Sequence, residues 1–462
     1  MSQKTIFLPI YNGTRSRNFF RNDTYKELIQ DKTIRLVVAV PSVKLDFYRN
    51  EFKEPNLIFE GVDVSAEPWF GRFLAELAFN LLDTNTVRLK QKLEYFRYGN
   101  YPRFAAMRFL NLSMRPFFPI VRSIIRIFEK LVPINADAAF VLKKYQPDVV
   151  VLPDIVFPID RIFIRAAKKL GLYVIGLVRS WDNLTSKGVV QTLPHKLVVL
   201  NTTMKYEAIK YVGMPLKDIV VLGTPQYDHY FKGKKPSRED FFKSLGIPLD
   251  RRLILCAPFF NDYTKSAVKI INTLTDAVKT GLLPPTVHIL VRFRPNSSEI
   301  PDGRLHASDH VTITHPCQRY FDNMGGLVTQ DYEFTAADVE LLFNSIYFSD
   351  VTINTISTLS IDAAALDKPV INVRFDAEPS CPPKHSVKYM TGHDHYEAIE
   401  RSGGVALAWN MDQLLSQVHA YLKNPQLHAE GREQMRKEQI EFFDGQSGKR
   451  VAEYIKSIAK NL

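Results

Sequence analysis

The sequence of 462 residues contains only three cysteines, Cys256, Cys317 and Cys381, scattered along the chain. An odd number of well-separated cysteines predicts neither a disulfide framework nor a zinc finger. The sequence also lacks any apolar run long enough to cross a bilayer, and no apolar segment follows a basic one at the N-terminus. A cytoplasmic protein is therefore expected, peripheral to a membrane at most.

The sequence has no repeats and no low-complexity tracts. Basic residues outnumber acidic ones and give a formal net charge of +11. The hydrophobic share of 45% is that of a folded protein, and the length implies two or three domains. The positive charge indicates a partner that carries phosphate, such as a nucleotide or an anionic lipid. Nucleic acid is not expected, because no recognition motif accompanies the charge.

Two series of strand-like apolar runs alternate with helical patterns, the rhythm of parallel sheets covered by helices on both faces. A polar, lysine-rich segment at 232–240 separates the series and predicts a linker. The runs of the first series are Thr5–Ile10, Ile34–Val40, Asp148–Leu152, Tyr173–Val178, Lys196–Leu200 and Ile219–Leu222, and those of the second are Leu253–Ala257, Val287–Phe293, Val311–Thr314, Asp350–Asn354 and Val370–Val373.

The predicted fold class is therefore α/β, with two Rossmann-like doubly wound domains that face a cleft. The N-terminal domain is expected at 1–230, with a helical basic insertion at about 66–146, and the C-terminal domain at 231–446. Residues 447–462 place Val451, Tyr454, Ile455 and Ile458 on one helical face, so this helix should pack back on the domains. Ligands of such sheets bind beyond the carboxyl ends of the strands, which places the chemistry in the cleft.

The most informative stretch, 349–373, predicts a buried strand, a turn of small hydroxyl residues, a short helix and a second strand. The unpaired N–H groups at a helix N-terminus attract anions, and Ser357 and Thr358 add hydroxyl donors there. Asp362 follows one turn later, where its carboxylate suits a ribose. The alternative interpretation is an ordinary connection with a Ser/Thr cap.

No two aspartates lie two residues apart, so the Asp-x-Asp arrangement that holds a metal on a sugar nucleotide is missing and no metal is expected. Arg292 and Arg294 share one face if their strand continues through them, and an arginine fork suits phosphate. Two surface arginines closing a strand are an equal alternative.

Acid–base chemistry is expected at the carboxyl ends of N-domain strands, where Asp182 and, as the weaker candidate, Asp154 are placed. The loop that holds Asp182 also offers Trp181, Asn183 and Lys187 to an acceptor sugar or a phosphate. A turn capped by the Asp-Asn pair would explain the same residues. A basic loop after the first strand offers Arg15 and Arg17 to phosphate, or is simply solvated; the lone His195, His229 and His315 are interpreted as structural.

Several short motifs resemble those of the GT-B glycosyltransferases and their relatives, the nucleotide-sugar 2-epimerases and the CDP-glycerol glycerophosphotransferases. They are Gly223-Thr224-Pro225-Gln226-Tyr227-Asp228, Asp331-Tyr332 before a helix at 336–348, the turn at 357–363, Lys368-Pro369-Val370-Ile371, and the closing His395-Tyr396, Ser402-Gly403-Gly404-Val405 and Phe443-Asp444-Gly445-Gln446-Ser447. The resemblance covers the C-terminal half well and the N-terminal half only as an architecture.

The resemblance implies a nucleotide donor on the C-terminal domain, with Thr224 and the Tyr332 loop beside it, an acceptor on the N-terminal domain and no catalytic metal. Relatives often have His-Pro where this chain has Arg294-Pro295, which leaves the phosphate contact open.

Residues 101–132 carry six basic residues against the single acid Glu129. Within 120–132 the apolar residues share one helical face and Arg122, Arg126 and Lys130 lie opposite. Such a helix suits an anionic membrane surface or a lipid-linked acceptor. A core helix with its arginines toward water is the equal alternative.

The expected function is that of a glycosyltransferase moving a sugar from a nucleotide-sugar donor to a glycan or lipid-linked acceptor in bacterial surface polysaccharide synthesis, with the nucleotide sugar as co-substrate and no cofactor. The alternatives are a CDP-glycerol-type glycerophosphotransferase and an inactive nucleotide-binding scaffold in an assembly complex.

Overall fold

The computed structural model describes residues 3–232, 236–257, 264–295, 305–317, 319–322, 330–378 and 381–462. Their N-terminal part is built on a parallel sheet with strand order β3-β2-β1-β4-β5-β6-β7. Its central strands are buried, as expected of a sheet covered on both faces. The strands are β1 (Lys4–Pro9), β2 (Ile34–Val40), β3 (Leu57–Gly61), β4 (Val149–Leu152), β5 (Tyr173–Leu177), β6 (Lys196–Val199) and β7 (Ile219–Val221).

A second parallel sheet, of order β10-β9-β8-β13-β14-β15, organises the C-terminal part, and β11 and β12 form a separate antiparallel hairpin. The predicted α/β class with two doubly wound sheets is confirmed. The strands are β8 (Arg252–Cys256), β9 (Val287–Arg292), β10 (Val311–Thr314), β11 (Arg319–Asp322), β12 (Gln330–Glu333), β13 (Val351–Asn354), β14 (Val370–Val373) and β15 (Ala406–Ala408).

Helices connect the strands and cover both sheets. In the N-terminal part they are α1 (Gly13–Phe20), α2 (Asp23–Gln30), α3 (Leu45–Glu51), α4 (Trp69–Leu81), α5 (Asn85–Tyr98), α6 (Tyr101–Met114), α7 (Phe118–Glu129), α8 (Ala136–Tyr145), α9 (Pro158–Lys169), α10 (Asn183–Ser186), α11 (Thr202–Glu207), continued by a π-helical turn (Ala208–Val212), and α12 (Asp228–Phe231). In the C-terminal part they are α13 (Arg238–Ser244), α14 (Thr264–Lys279), α15 (Ala336–Tyr347), α16 (Leu359–Ala365), α17 (Asp394–Arg401), α18 (Met411–Lys423), α19 (Ala429–Gln439) and α20 (Ser447–Asn461).

The last helix, α20, returns to the N-terminal part. Its apolar face, including Val451 and Ile455, packs against α2 and belongs to the core under β1 and β2. At its start, the Asp228 carboxylate accepts hydrogen bonds from the backbone N–H groups of Ser447 (3.0 Å) and Gly448 (2.6 Å). The two places where the chain passes between the sheets therefore lie side by side.

The β11–β12 hairpin docks on the N-terminal part through a buried ion cluster. The Lys44 ammonium, with no exposed surface, lies 2.5 Å from the Asp331 carboxylate and 2.7 Å from that of Glu333. The Tyr48 hydroxyl also donates to Glu333, at 2.6 Å. The hairpin lies so close to the start of α1 that a Cβ at Gly13 would be 1.9 Å from the Tyr332 carbonyl oxygen, so only glycine fits there.

Across the ranges that the structure describes, no helix is both long enough and apolar enough to cross a bilayer.

Candidate functional site

A cavity of about 640 Å³ lies between the two sheets, at the carboxyl ends of their strands. The end of α1 and the loop before α10 line it from the N-terminal part, and the end of β9 and the turn from β13 into α16 line it from the C-terminal part. Helix α5 of the insertion adds Lys90 and Leu93. Of the predicted site residues, the structure brings together Arg17, Trp181, Asp182, Lys187, Arg292, Arg294, Ser357, Thr358 and Asp362.

The turn from β13 into α16 has the predicted form, and Ser357 and Thr358 face the cavity. Ser357 partly caps the helix itself: its hydroxyl oxygen accepts from the Leu359 N–H at 3.2 Å and its carbonyl from the Ser360 N–H at 3.1 Å. The helix start therefore offers an anion fewer unpaired N–H groups than the sequence implies, and the nearby cations become more important.

Asp362 reaches the cavity from the first turn of α16, and one of its carboxylate oxygens accepts a hydrogen bond from the Tyr230 hydroxyl at 2.6 Å. Burial raises the pKa of Asp362 to about 6, against the lowering effects of Tyr230 and Arg17. The carboxylate is thus ionised at neutral pH and able to accept hydrogen bonds from hydroxyl groups.

Arg292 presents its guanidinium at the end of β9. The side chain is 7% exposed, its Nη2 donates to the Asp338 carbonyl at 3.3 Å, and its Nη1 has no hydrogen-bond partner among the described residues. Burial lowers the pKa of Arg292 to about 10, so the group still carries its charge at neutral pH. A buried guanidinium that lines a cavity and has one unpaired nitrogen favours an anionic ligand.

Asp182 lies in the cavity wall on the N-terminal side. Its oxygens accept from the hydroxyls of Ser180 (2.6 Å) and Ser186 (3.1 Å), and the Lys187 ammonium lies 3.4 Å away. Burial raises the pKa of Asp182, but Lys187, His395 and the Ser180 hydrogen bond outweigh it and hold the pKa well below its usual range. Asp182 is therefore a fixed negative charge and a weak base.

Sequence reasoning missed several charged or polar cavity residues, among them Arg21, Lys90, His393 and His395, and it interpreted His229, which also lines the cavity, as structural. His395 Nδ1 lies 3.2 Å from the Thr185 hydroxyl, and its ring stands edge-on to Trp181 at 4.7 Å. Burial lowers the pKa of His395 to about 4, against the opposing effect of Asp182, so the imidazole is neutral at neutral pH. The His395-Tyr396 pair of the closing motif was the signal for this residue, but it carried no spacing that indicates catalysis.

Asp154 and Asn183 do not line the main cavity, which corrects their predicted roles. Asp154 has no exposed surface, and its carboxylate accepts from Arg179 Nε at 3.0 Å and from the Asn183 amide at 2.8 and 2.9 Å. Asn183 is equally buried. Together they fix the loop that carries Asp182, so both are positioning residues rather than groups that touch a substrate.

Arg15, Thr224 and Tyr332 also lie outside the main cavity. Arg15 is 1% exposed and pairs at 2.7 Å with Asp160, because the buried carboxylate of that residue, in the first turn of α9, needs a countercharge. Thr224 lines a separate cavity of about 60 Å³ beside Arg15. Tyr332 packs across the domain boundary, where its hydroxyl lies 3.1 Å from that of Thr14. Arg15 and Tyr332 therefore make internal contacts where ligand contacts were predicted, whereas the buried Thr224 hydroxyl has no hydrogen-bond partner among the described residues.

Among the described residues, no group of three or more His, Cys, Asp or Glu side chains could hold a metal ion.

Solved structures with the same two-domain architecture align over nearly the whole chain. S. aureus MnaA in its UDP co-structure matches with a TM-score of 0.57 and 12% identity, covering 99% of this chain and 98% of that one. UDP-GlcNAc 2-epimerase from Neisseria meningitidis, bound to UDP-GlcNAc, matches with a TM-score of 0.55 and 11% identity. The match covers 98% of this chain and 100% of that one. A glycosyltransferase from Rickettsia africae ESF-5 matches at 0.50 and 12% identity, covering 100% of both.

At such identities these likenesses show the fold alone, which is of the GT-B type. A comparison with curated protein sequences gives no significant match. The family model described as CDP-Glycerol:Poly(glycerophosphate) glycerophosphotransferase matches residues 190–457, more than half of the chain, and this span contains the Arg292 strand, the 357–363 turn and the closing motifs. The chain is therefore a member of the CDP-glycerol:poly(glycerophosphate) glycerophosphotransferase family, a family of transferases.

Proposed function

We propose that this protein transfers a glycosyl group from a nucleotide-sugar donor to a hydroxyl acceptor in the cavity between the two sheets. The observation that carries the proposal is the charge of that cavity. Six cationic side chains line it against three carboxylates, counted over the residues that the structure describes. Such an excess favours a diphosphate and stabilises the charge that develops on a departing phosphate. The cations are Arg17, Arg21, Lys90, Lys187, Arg292 and Arg294.

The donor is assigned to the C-terminal side. Arg292 and Arg294 meet its phosphates, the turn at Ser357 and Thr358 supports them, and Asp362 accepts hydrogen bonds from the ribose. The acceptor is assigned to the N-terminal side, where Arg17 and Lys187 flank it. Trp181 favours a sugar as the transferred or receiving group, because an aromatic ring beside polar side chains suits a carbohydrate's C–H face and hydroxyls.

The proton of the acceptor hydroxyl needs a recipient if transfer inverts configuration. Asp182 is the residue that the sequence indicates. His395 is the stronger base of the two, since its pKa of about 4 lies above the pKa of Asp182, which is held well below its usual range. We therefore assign proton uptake to His395 and stabilisation of the resulting imidazolium to Asp182.

Transfer of glycerol phosphate from CDP-glycerol is the second candidate, and the family match favours it. The same cations would hold that donor, and its acceptor hydroxyl also needs a proton recipient. The two reactions differ in the bond broken: glycosyl transfer from a nucleoside diphosphate sugar releases the nucleoside diphosphate, whereas attack at the glycerol-bearing phosphorus of CDP-glycerol releases CMP.

Further parts of the proposal are metal independence, a glycan or lipid-linked acceptor in surface polysaccharide synthesis, and a cytoplasmic site of action at the membrane. No cofactor besides the co-substrate is proposed.

A donor panel tests the function. The protein is incubated with UDP-, GDP-, CDP- and CMP-linked sugars and with CDP-glycerol, and the melting temperature and released nucleotide are measured. A ligand that binds only the folded state raises the melting temperature by mass action, so one class of sugar donor is expected to do so. A shift with CDP-glycerol alone and release of CMP would favour the second candidate, and no shift with any donor would favour the inactive scaffold.

The matched variants for this panel are Arg292→Gln and Arg401→Gln. Loss of a buried, charge-assisted contact to phosphate is expected to weaken donor affinity by roughly 10- to 100-fold for Arg292→Gln. Arg401, exposed on α17, lies outside the cavity lining, so its variant should bind as the wild type does. Equal affinities for the two variants would remove Arg292 from the donor site.

Donor affinity is also expected to fall above about pH 8. Burial, reinforced by Lys187, lowers the pKa of Lys90 to about 8, and its ammonium donates to the Ser186 carbonyl at 2.7 Å. As pH rises through 8 the ammonium loses its charge, and an anionic donor loses a contact of roughly 1.5 kcal/mol, or about tenfold in affinity. Titration calorimetry between about pH 6.5 and about pH 9.5, a range that spans that transition, measures the effect.

A Lys90→Gln variant should bind weakly with little dependence on pH. Glu207 titrates in the same range, because burial raises its pKa to about 8, and its ionisation adds negative charge near Asp182. Glu207→Gln is therefore the necessary control. Full pH dependence in Lys90→Gln together with its loss in Glu207→Gln would reassign the effect to Glu207.

A further inference from the structure

Helix α5 of the insertion holds the short helix α10, which follows Asp182. The Thr84 hydroxyl, at the start of α5, donates to the Thr185 carbonyl at 2.8 Å, and the Lys90 ammonium donates to the Ser186 carbonyl at 2.7 Å. Thr84 and Thr185 are each 1% exposed, so water does not compete for their hydrogen bond. The loop that carries Asp182 is therefore fixed against α5.

The same helix contacts α17, which belongs to the C-terminal part. The Thr86 N–H and hydroxyl both donate to one oxygen of the Asp394 carboxylate, at 2.6 and 2.8 Å, and the Thr86 hydroxyl accepts from the Asp394 N–H at 2.9 Å. Each residue thus satisfies an N–H group in the first turn of the other's helix, and both helix dipoles favour the carboxylate. Thr86 has no exposed surface. We call this reciprocal pair the Thr86–Asp394 clasp.

The clasp and the α10 contact converge on His395. Asp394 directly precedes His395, whose Nδ1 lies 3.2 Å from the hydroxyl of Thr185 on α10. The His395 ring also stands edge-on to Trp181, the neighbour of Asp182, at 4.7 Å. Helix α5 therefore holds the segment of His395 and the segment of Asp182 at the same time.

The second half of α5 extends its contact with the C-terminal part. The Phe96 ring stands edge-on to Tyr389 at 5.0 Å, and the Lys92 ammonium lies 5.1 Å from the centre of the Tyr389 ring. The helix also packs against the 3₁₀ turns Pro383–His385 and Val387–Met390. The insertion is thus fastened to both halves of the molecule.

We infer that the Thr86–Asp394 clasp positions His395 against Asp182 for proton uptake. His395 and Asp182 reach the cavity from different halves, so packing within one half cannot set the distance between them. Thr86 and Asp394 lie outside the cavity lining and are positioning residues. The role in proton uptake rests on the proposed function, whereas the alignment of His395 with the Asp182 loop does not.

Thr86→Val tests the role in turnover. The variant has a similar volume but loses two of the three hydrogen bonds of the clasp. Because a misplacement of about 1 Å can cost about 100-fold in rate, the turnover number is expected to fall by roughly 10- to 100-fold. The KM for the donor should change little, since the proposed donor contacts lie on the C-terminal side. Thr86→Ser keeps the hydroxyl and should retain most of the turnover.

Two further variants complete the kinetic test. Asp394→Asn keeps the shape of the side chain but removes the charge between the two helix starts, so it should also lower the turnover number. Thr202→Val is the control, because the Thr202 N–H and hydroxyl donate to the Glu441 carboxylate at 2.6 and 3.0 Å in a similar pair between the halves, outside the cavity lining. This control should turn over as the wild type does.

Tryptophan fluorescence tests the alignment without any substrate. Of the three tryptophans, Trp69 is 72% and Trp409 57% exposed, whereas Trp181 is 8% exposed under the His395 ring. In a Trp69→Phe, Trp409→Phe background the emission reports Trp181 alone. Loss of the clasp in Thr86→Val should increase quenching of this emission by acrylamide, and Thr202→Val should leave the quenching unchanged.

The inference is overturned if Thr86→Val keeps both the turnover and the quenching of the wild type. It is also overturned if Thr86→Ser is as impaired as Thr86→Val, since packing and not hydrogen bonding would then be responsible. A wild type without turnover, together with increased quenching in Thr86→Val, would refute the proposed function and the role in proton uptake but support the alignment.

Discussion

His395→Gln is expected to lower the turnover number by about 10²- to 10⁴-fold, the usual contribution of a general base. The variant keeps a polar side chain beside the Thr185 hydroxyl but has no group that can take up a proton near neutral pH. Donor binding should persist, because His395 lies on the acceptor side of the proposed arrangement and adds no charge at neutral pH. The turnover number and the donor-induced shift of the melting temperature are measured on the same preparation.

Two companion variants make this prediction specific. Asp182→Asn removes only the charge that stabilises an imidazolium, so its loss of turnover should be smaller than that of His395→Gln. His419→Gln changes an exposed histidine on α18 and should have no effect. If Asp182→Asn caused the larger loss, proton uptake would return to Asp182. If neither variant slowed turnover, proton uptake would be assigned to neither His395 nor Asp182.

Lys44→Met is expected to lower the free energy of unfolding by about 3–5 kcal/mol, because it leaves the carboxylates of Asp331 and Glu333 buried without their countercharge. Burial already raises the pKa of both acids, and Lys44 opposes that shift. Without Lys44 they would be protonated at higher pH, which limits the loss and makes the variant more stable on mild acidification. Urea denaturation at two pH values measures both effects.

A triple variant, Lys44→Met with Asp331→Asn and Glu333→Gln, provides the control. Removing all three charges should recover most of the stability, since the penalty arises from uncompensated carboxylates and not from a lost attraction. A triple variant as unstable as Lys44→Met would show instead that packing around the lysine stem holds the hairpin.

Much of the architecture could be predicted because buried parallel strands appear as continuous apolar runs of characteristic length. Strand β2 and strand β14 have the bounds that the sequence predicts, and the turn before α16 has the predicted form. Two strands at the sheet edges were missed: β3 ends in Glu60-Gly61, and β15 has only three residues. Edge strands bury less surface, so they need fewer apolar residues and are harder to recognise in the sequence.

The site was predictable only in part, since position at a strand end does not determine whether a charge faces ligand or protein. Asp154 and Asp182 both follow strands of the first sheet. The Asp154 carboxylate accepts hydrogen bonds from Arg179 and Asn183 inside the protein, whereas Asp182 reaches the cavity. Lys90 comes from an insertion whose placement local sequence does not specify. Helical periodicity likewise showed which residues of α7 share a face, but not which face is turned to the protein: Arg122 and Arg126 point inward and donate to backbone carbonyls.

The return of α20 constrains how the two halves of the molecule can move. A single covalent crossing would let one half rotate about three independent axes relative to the other. Here the outgoing chain near Gly223 and the incoming chain at Ser447 run so close that a Cβ at Gly223 would lie 2.4 Å from the Ser447 hydroxyl oxygen. Paired crossings of this kind suppress torsion between the halves. Because the β11–β12 hairpin ties the halves together again through Lys44, the cavity mouth can widen only if that buried ion cluster separates.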